Sequence, residues 1–431
     1  MAETSSSLTS GGAIVAGLVL VVIAGLLNGS WNASFHPLWG LAVGRKGSPT
    51  TDLSYHFAWI LFQLYSVIIN IPVCLYWSGG PARVQYIVKE SSGLEIAVVC
   101  IFSILWGVGS LGFGLACKVA GVGMGTNLCM GVIMVLGTFL PLCLNGVIAS
   151  AAGGMVVAGL VVCCLGLVSS VQSLQLRDTE EREQRIRRRT MYNTTISISL
   201  PKSAALGEVK LETTEPLEDP TEHIIVPEQS DVNEDCREDA KMEQPQTEEN
   251  DEEGPSTFRK VAVCVIAGIF ATQLQFAFVF GDKMIALAKD SSQGPGSTPP
   301  SGTSAVIWLF AISLGAPVSI IYGIYSNPPE IPLSTIYQCP WYRHALILVT
   351  TSIPWVSQIH LYGYSNTYLP SHLAASVAWP ILMMITVVVG ILWSIALGEW
   401  KLASLAAKWK LYQGLGLVTL GVVVIMASMA I

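Results

Sequence analysis

Long runs of uncharged, apolar residues constrain the fold of this chain more than any other feature. Residues 95–172 hold three apolar helices in close succession, and none of them carries a charge in its interior. A helix that crosses a membrane needs roughly 20 mostly apolar residues. The chain is 52% hydrophobic and 12% charged, roughly half the charged fraction of a soluble domain. The sequence therefore predicts a membrane protein.

Ten such runs predict ten transmembrane helices. They cover residues 12–37, 55–77, 95–117, 121–143, 151–173, 259–282, 304–326, 343–364, 372–397 and 410–430. Glycines at three- and four-residue spacings, such as Gly121 and Gly125, let helices approach closely in lipid. We interpret these glycines as packing residues, with the alternative that some line a cavity.

A polar, acidic segment over residues 178–257 divides the helices five and five. Its composition cannot bury enough apolar surface to fold alone, so we expect a disordered loop. An odd number of spans in each half makes the second half enter from the opposite side of the membrane. The expected fold class is thus an all-α membrane protein with ten transmembrane helices. They form two inverted five-helix repeats, at 12–173 and 259–431, as in many transporters.

Basic residues near the span ends predict the orientation. Most of them, for example Arg45, Lys118, Arg188 and Lys401, lie on loops that follow odd-numbered helices. We therefore expect those loops, including the acidic loop, in the cytosol of a plasma membrane or endomembrane protein. The sequence has no basic, aromatic patch for nucleic acid, no metal-ligand spacing, no cofactor motif and no catalytic motif. It predicts neither an enzyme nor a metalloprotein.

The eighth predicted helix is the most polar span. Trp355, Gln358 and Tyr362 are three and four residues apart, so they share one helix face. An aromatic ring can pack on the apolar face of a sugar while an amide bonds its hydroxyls. We therefore predict that these residues bind substrate. The alternative is that Gln358 bonds a neighbouring helix and Trp355 only fills space.

Further candidates lie on other helices. Trp106 and Asn127 mark helices three and four, and Gln275 in helix six is a second amide that could face a cavity. Asp282 is a candidate proton acceptor, unless it pairs with its lysine neighbour or lies in headgroup water. His360 is a second proton-coupling candidate because histidine titrates near neutral pH, although it could simply be hydrogen-bonded.

Several short motifs together resemble one transporter family. They are Trp106-Gly107-x-Gly109, Gly112-x-Gly114-Leu115, Gly121-x-x-Met124-Gly125, Gly137-Thr138, Ala267-Gly268-Ile269-Phe270, Trp355-x-x-Gln358 with Tyr362, Trp379, and Gly398-Glu399-Trp400. Their order and spacing resemble the bacterial L-rhamnose–proton symporters of the drug/metabolite transporter superfamily. The resemblance implies a ten-helix carrier that moves a sugar with a proton, and it adds Trp379 to the substrate-binding candidates.

This chain departs from the family pattern at several positions. Ser110 and Gly112 stand where the bacterial proteins have asparagines, and the nearest acid to Val279 is Asp282, about a turn further on. We therefore expect a secondary carrier of a small polar solute, a rhamnose-like sugar, coupled to a proton and working by alternating access. Helices one, three, four, six, eight and nine would line its central cavity.

Two alternatives stay open. One keeps the fold but carries a nucleobase, an amino acid or a nucleotide-sugar; the scarcity of lysine and arginine inside the spans argues against phosphate-bearing cargo. The other is a membrane receptor or scaffold that signals through cytosolic partners of the 178–257 loop. Deletion of residues 190–250 separates these classes, because a carrier keeps its transport and a scaffold loses its function.

Overall fold

The computed structural model describes residues 2–31, 33, 55–144, 146–199, 256–290, 296, 298–326, 334–369 and 374–428, which contain helices and no strand. The helices are α1 Ala2–Ser30, α2 Tyr55–Trp77, α3 Pro81–Glu90, α4 Gly93–Ala120, α5 Val122–Leu144, α6 Ala151–Ser199, α7 Thr257–Ala271, α8 Gln273–Phe280, α9 Asp282–Lys289, α10 Ala305–Tyr325, α11 Thr335–Gln338, α12 Trp341–Ile347, α13 Ile353–Ser365, α14 Ala374–Ala396 and α15 Leu405–Ala427. The chain divides into two compact units, residues 1–182 with 255–431 and residues 183–254.

Ten helical segments in the described residues are long and apolar enough to cross a membrane. This confirms the predicted number of spans, and the chain is a multi-pass integral membrane protein. Span six combines α7 with α8, and span eight combines α12 with α13. Helix α1 of the first span ends at Ser30 in the described residues. The rest of its predicted length falls mainly outside the described residues.

Helix α6 is longer than the sequence analysis predicted. The helix continues to Ser199, whereas the polar loop was expected to begin at residue 178. Glutamate, glutamine and arginine favour helix as strongly as most apolar residues do. Arg177 Nε also lies 3.8 Å from Glu181 Oε1, an ion pair of opposite charges four residues apart. Residues 200–255 of the predicted loop lie outside the described residues.

Serine side chains cap the N-termini of three of the helices. Ser92 Oγ accepts a hydrogen bond from the Glu95 amide at the start of α4, at 3.1 Å. Ser256 and Ser404 do the same for the first turns of α7 and α15. A serine in this position satisfies an amide that has no partner within the helix, and it contributes roughly 1 kcal/mol. These caps fix the residues at which the three helices begin.

Small residues allow the spans to pack closely, as predicted. A Cβ added at Gly107 of α4 would lie 2.9 Å from Gly315 Cα of α10, so a side chain there would push the two helices apart. A Cβ added at Gly125 of α5 would lie 2.7 Å from Cys117 Cα of α4. The helix pairs in extensive contact join the two halves of the chain: α5 with α14, α4 with α7 and α10, α2 with α10, and α1 with α13 and α14.

Glutamate carboxylates accept hydrogen bonds from the N-termini of two helices, one at each end of the bundle. Glu399 accepts hydrogen bonds from the Val122 amide at 2.8 Å and the Gly123 amide at 3.1 Å, at the start of α5. Glu95 Oε1 accepts the Met284 amide of α9 at 3.0 Å. A negative charge at a helix N-terminus is favourable because the amide dipoles point their positive ends there. Both contacts tie one half of the chain to the other.

Candidate functional site

A central cavity lies between seven of the spans. The space between its lining atoms is about 610 Å³, which includes space open to the surroundings, and the part that water-sized molecules can occupy is about 60 Å³. The residues that line it are Asn28, Trp31, Trp106, Ser110, Phe113, Met130, Ile133, Ala271, Leu274, Trp308, Trp355, Gln358, Ile359, Tyr362, Trp379 and Met383. They come from spans one, three, four, six, eight and nine, as predicted, and also from span seven.

Seven of the sixteen residues that line the cavity are aromatic. Trp106 and Trp355 stack with their ring centroids 5.5 Å apart and their planes 14° apart. Tyr362 and Trp379 meet edge to face at 5.2 Å. The Trp379 indole donates its N–H to the Ile133 carbonyl at 3.2 Å, which fixes the ring between α14 and α5. The cavity therefore offers rigid, flat, apolar surfaces.

Gln358 supplies a polar group that is ready to bind a ligand. The residue is 4% exposed and lines the cavity, and its Oε1 atom is buried without a hydrogen-bond partner. Ser110 is the second such group. Its hydroxyl oxygen accepts a bond from Gln63 Nε2 at 2.9 Å, which leaves its own hydrogen to donate. One acceptor and one donor thus face the same space.

Other polar side chains at the cavity are held by their neighbours. Asn28 donates to Thr386 Oγ1 at 3.0 Å and accepts the indole N–H of Trp31 at 3.1 Å, so it orients that ring. The Tyr362 hydroxyl lies 3.0 Å from Gln275 Nε2 and 3.1 Å from Gln275 Oε1. Tyr362 therefore presents its ring, rather than its hydroxyl, to a ligand.

Two spans that contribute lining residues are interrupted beside the cavity. Span six breaks at Thr272, between Ala271 and Leu274, which both line the cavity. Span eight contains a π-helical turn over Leu348–Ser352, and Pro354 and Trp355 follow in the first turn of α13. Proline has no amide hydrogen to continue the α-helical bonding pattern. Interruptions of both kinds are frequent at functional sites in helices.

Five of the predicted substrate residues line the cavity, and the others lie elsewhere. The lining includes Trp106, Trp355, Gln358, Tyr362 and Trp379. The remaining predicted residues, Gln275, Asn127, Asp282 and His360, are outside the lining. Gln275 is fully buried behind Tyr362.

Asn127 and Asp282 were predicted to act in the cavity, but neither of them lines it. Asn127 is 1% exposed, and neither atom of its carboxamide has a hydrogen-bond partner among the described residues. Asp282 lies in the exposed first turn of α9, outside the cavity. A carboxylate in that position is stabilised by the helix N-terminus and by water, so it has no need of an internal partner.

His360 lies behind the cavity, on the side of span eight that faces α2. It is 2% exposed, and its Nε2 atom is 3.1 Å from Asn70 Oδ1. Its Nδ1 atom is buried without a partner. Asn70 in turn donates to the Trp308 carbonyl at 3.1 Å, and Trp308 lines the cavity. A chain of two hydrogen bonds thus joins the histidine to a cavity residue.

Several lining residues are not among those predicted from the sequence. Trp31 and Trp308 are the largest of them, and Trp308 stacks on Phe278 with centroids 5.2 Å apart. Trp31 follows Asn28 by three residues in the polar second half of the first helix, whereas the inward orientation of Trp308 follows from tertiary packing. The polar second half of the first helix, with Asn28, was the available signal.

None of the described residues that line the cavity carries a charge at neutral pH. In a low-dielectric interior, a phosphate or carboxylate ligand would need a cation to offset the loss of hydration. The lining instead combines aromatic faces with a hydroxyl and amides. This chemistry suits a neutral solute with both apolar faces and hydroxyl groups.

Comparison with known proteins supports the resemblance seen in the sequence. The family model described as L-rhamnose-proton symport protein matches residues 51–194. An L-rhamnose-proton symporter of Mannheimia succiniciproducens is 26% identical over 122 residues, 27% of this chain and 35% of the relative. The symporter of Cronobacter sakazakii is 27% identical over 96 residues, 21% of this chain and 28% of the relative.

The matches cover a limited part of each protein. The chain spans about a third or less of the length of these curated relatives. No solved structure matches the chain significantly. The resemblance to the L-rhamnose–proton symporters is thereby confirmed, and it covers spans two to five together with part of the polar extension of α6.

Proposed function

We propose that this chain, which resembles the L-rhamnose–proton symporters, is a secondary carrier of a neutral sugar, driven by a proton gradient. The observation that carries the proposal is the unpartnered Gln358 Oε1, buried in a cavity walled by tryptophan and tyrosine rings. A buried polar atom without a partner is unfavourable, and a ligand hydroxyl would remove that cost.

Recognition would combine ring packing with two hydrogen bonds. The faces of Trp355 and Trp379 would pack on the C–H face of a sugar, while Gln358 Oε1 accepts one hydroxyl and Ser110 donates to another. Gln275 contributes indirectly, by holding the Tyr362 ring in place. The absence of charge among the described lining residues favours a neutral sugar over a nucleotide-sugar. A symporter is a carrier, so the proposal does not include an enzymatic reaction.

His360 is the proposed coupling group. It is the one buried histidine in the part of the chain that the structure describes, and its Nδ1 atom is available to take up a proton. A proton there would place a charge next to Asn70 and Trp77, whose ring centroid is 5.0 Å from that of His360. The resulting change at Asn70 would reach Trp308 through the hydrogen bond to its carbonyl.

Alternating access would follow from two inverted repeats, residues 12–173 and 259–431. A two-fold axis in the membrane plane would exchange span three with eight and span one with six. The same axis would map the contact between spans three and six onto a contact between spans eight and one. Both of these pairs of spans are in contact. The helix breaks in spans six and eight provide backbone that can bend around the cavity.

Uptake into vesicles that contain the purified full chain tests this proposal. An imposed pH gradient should drive accumulation of L-rhamnose or a related neutral sugar, and an uncoupler should abolish it. A panel of a nucleobase, an amino acid and a nucleotide-sugar covers the alternatives. Accumulation of a phosphate-bearing solute, or uptake that does not depend on the cavity residues, would contradict the proposal.

The coupling residue has its own test. His360→Gln keeps a donor toward Asn70 but cannot take up a proton, so exchange of sugar across the vesicle should persist while gradient-driven accumulation is lost. His344→Gln is the matched control, since His344 is only partly buried and bonds Tyr65 outside the cavity, at 2.6 Å. Normal accumulation by His360→Gln would assign proton coupling to another group.

A further inference from the structure

A groove on the outside of the bundle, separate from the central cavity, lies mainly between α4 and α7. Its lining includes Gly112 and Gly114 of α4, Ala267 of α7 and Gly323 of α10. These positions carry little or no side chain, which gives the groove its depth. It has a volume of about 880 Å³, counting the space open to its surroundings. We call it the α4–α7 groove.

The rim of the α4–α7 groove is apolar and faces outward. Val108, Leu115, Ile266 and Tyr322 line it and are 38%, 44%, 56% and 43% exposed. All four lie within membrane-spanning segments. Apolar side chains exposed at this depth contact the hydrocarbon of the bilayer. The groove is therefore open to lipid, and its shape and chemistry suit an acyl chain.

One end of the groove is cationic. Lys118 lies in its lining, two residues before Ala120, the last residue of α4. The helices α4 and α7 are antiparallel, because Gly109 adjoins Ala271 whereas Gly112 adjoins Ala267. Continuing this register places Lys118 level with the first turn of α7, which contains Arg259.

Arg259 also shares a helix face with the groove. The positions 259, 263, 266 and 270 are spaced by four, three and four residues, and the last three line the groove. Long cationic side chains at span ends extend toward the headgroups of the lipid. The α4–α7 groove thus combines an apolar lining with basic side chains at one of its ends.

We propose that the α4–α7 groove binds an anionic glycerophospholipid from the surrounding bilayer. One acyl chain lies along Gly112 and Ala267, and the phosphate lies between Lys118 and Arg259. Because the orientation predicted from the sequence places this end in the cytosol, the lipid comes from the leaflet that is rich in anionic headgroups. This site is independent of the transport proposal.

Native mass spectrometry of the purified full chain tests the lipid site. Phosphatidylglycerol and phosphatidylcholine with identical acyl chains are added in separate titrations. We expect phosphatidylglycerol to bind preferentially, and the double variant Lys118→Gln, Arg259→Gln to bind it about thirtyfold more weakly, since each basic residue near a headgroup contributes a factor of about five. Lys283→Gln with Lys289→Gln, at the opposite membrane end, is the matched control and should bind normally.

A second pair of variants tests the acyl-chain contact. Ile266→Trp narrows the groove and should lower binding, whereas Ile269→Trp substitutes another exposed residue of α7 that does not line it. Equal binding of the two lipids, or equal loss in the two tryptophan variants, would overturn the proposal. So would a dimer that Ile266→Trp abolishes, because the groove would then be an interface between two copies of this chain.

Discussion

Replacing Gln358 with leucine should change the stability of the protein and its affinity for substrate in different directions. The variant removes a buried, unpaired polar atom, and it also removes a hydrogen bond to the substrate. Gln358 Oε1 is buried without a hydrogen-bond partner among the described residues. Such an atom costs roughly 1–3 kcal/mol. Leucine is similar in volume and has no polar atom. The variant should therefore unfold at the same temperature as the unaltered chain, or at a higher one.

The same change should weaken substrate binding. A hydrogen bond between the amide and a sugar hydroxyl contributes about 0.5–1.5 kcal/mol, which corresponds to an affinity loss of roughly two- to thirteenfold. Sites built for hydrogen bonds discriminate still more strongly against a missing partner. We thus expect Gln358→Leu to transport poorly although it folds and reaches the membrane. Thermal unfolding and sugar uptake by vesicles, measured on the same preparation, report the two effects.

Gln273→Leu is the matched control, because the Gln273 amide bonds the Ile269 carbonyl at 3.0 Å and does not line the cavity. It should leave uptake unchanged. Two results would refute the reasoning for Gln358. Normal uptake would mean that the amide does not contact the substrate. A lower unfolding temperature would mean that the amide joins helices, as the structural alternative holds.

Three further predictions concern the surroundings of the site. Gln275→Leu should lower the free energy of unfolding by roughly 1–3 kcal/mol, because it leaves a buried hydroxyl unpaired; adding Tyr362→Phe should restore most of this in a denaturation assay. Gly125→Leu should lower the yield of folded protein in size-exclusion chromatography, since overpacking costs about 1–3 kcal/mol, while Gly154→Leu, where nothing lies within 4 Å, should not. Protease should cut within residues 200–255 of the predicted acidic loop in permeabilised cells but not in intact ones; cutting in intact cells would reverse the predicted orientation.

Much of the fold was predictable because hydrocarbon imposes a simple rule. Each span needs a long apolar run, and all ten runs are visible in the sequence. The end of α6 was not predictable in the same way. Charged helix-forming residues such as those after Arg177 occur both in solvated helices and in loops, so composition does not distinguish the two.

The candidate site was predictable where one helix carries the pattern. Trp355, Gln358 and Tyr362 share a face by spacing alone, and all three line the cavity. Trp308 reaches the cavity through packing between helices distant in sequence, which no local spacing indicates, whereas Trp31 lies in the polar second half of the first helix, three residues after Asn28. The roles of Gln275 and Asn127 depend on whether a neighbour lies within hydrogen-bond distance, and that also requires the tertiary structure.

The π-helical turn at Leu348–Ser352 sets the rotational phase of the rest of span eight. A π turn takes up one more residue than an α turn, and one residue corresponds to about 100° of rotation about the helix axis. Trp355 and Gln358 therefore face the cavity only because the chain holds one extra residue upstream. At this point in span eight, chain length rather than side-chain identity determines what the cavity presents. Loss of a single residue there would turn an intact binding face toward another helix.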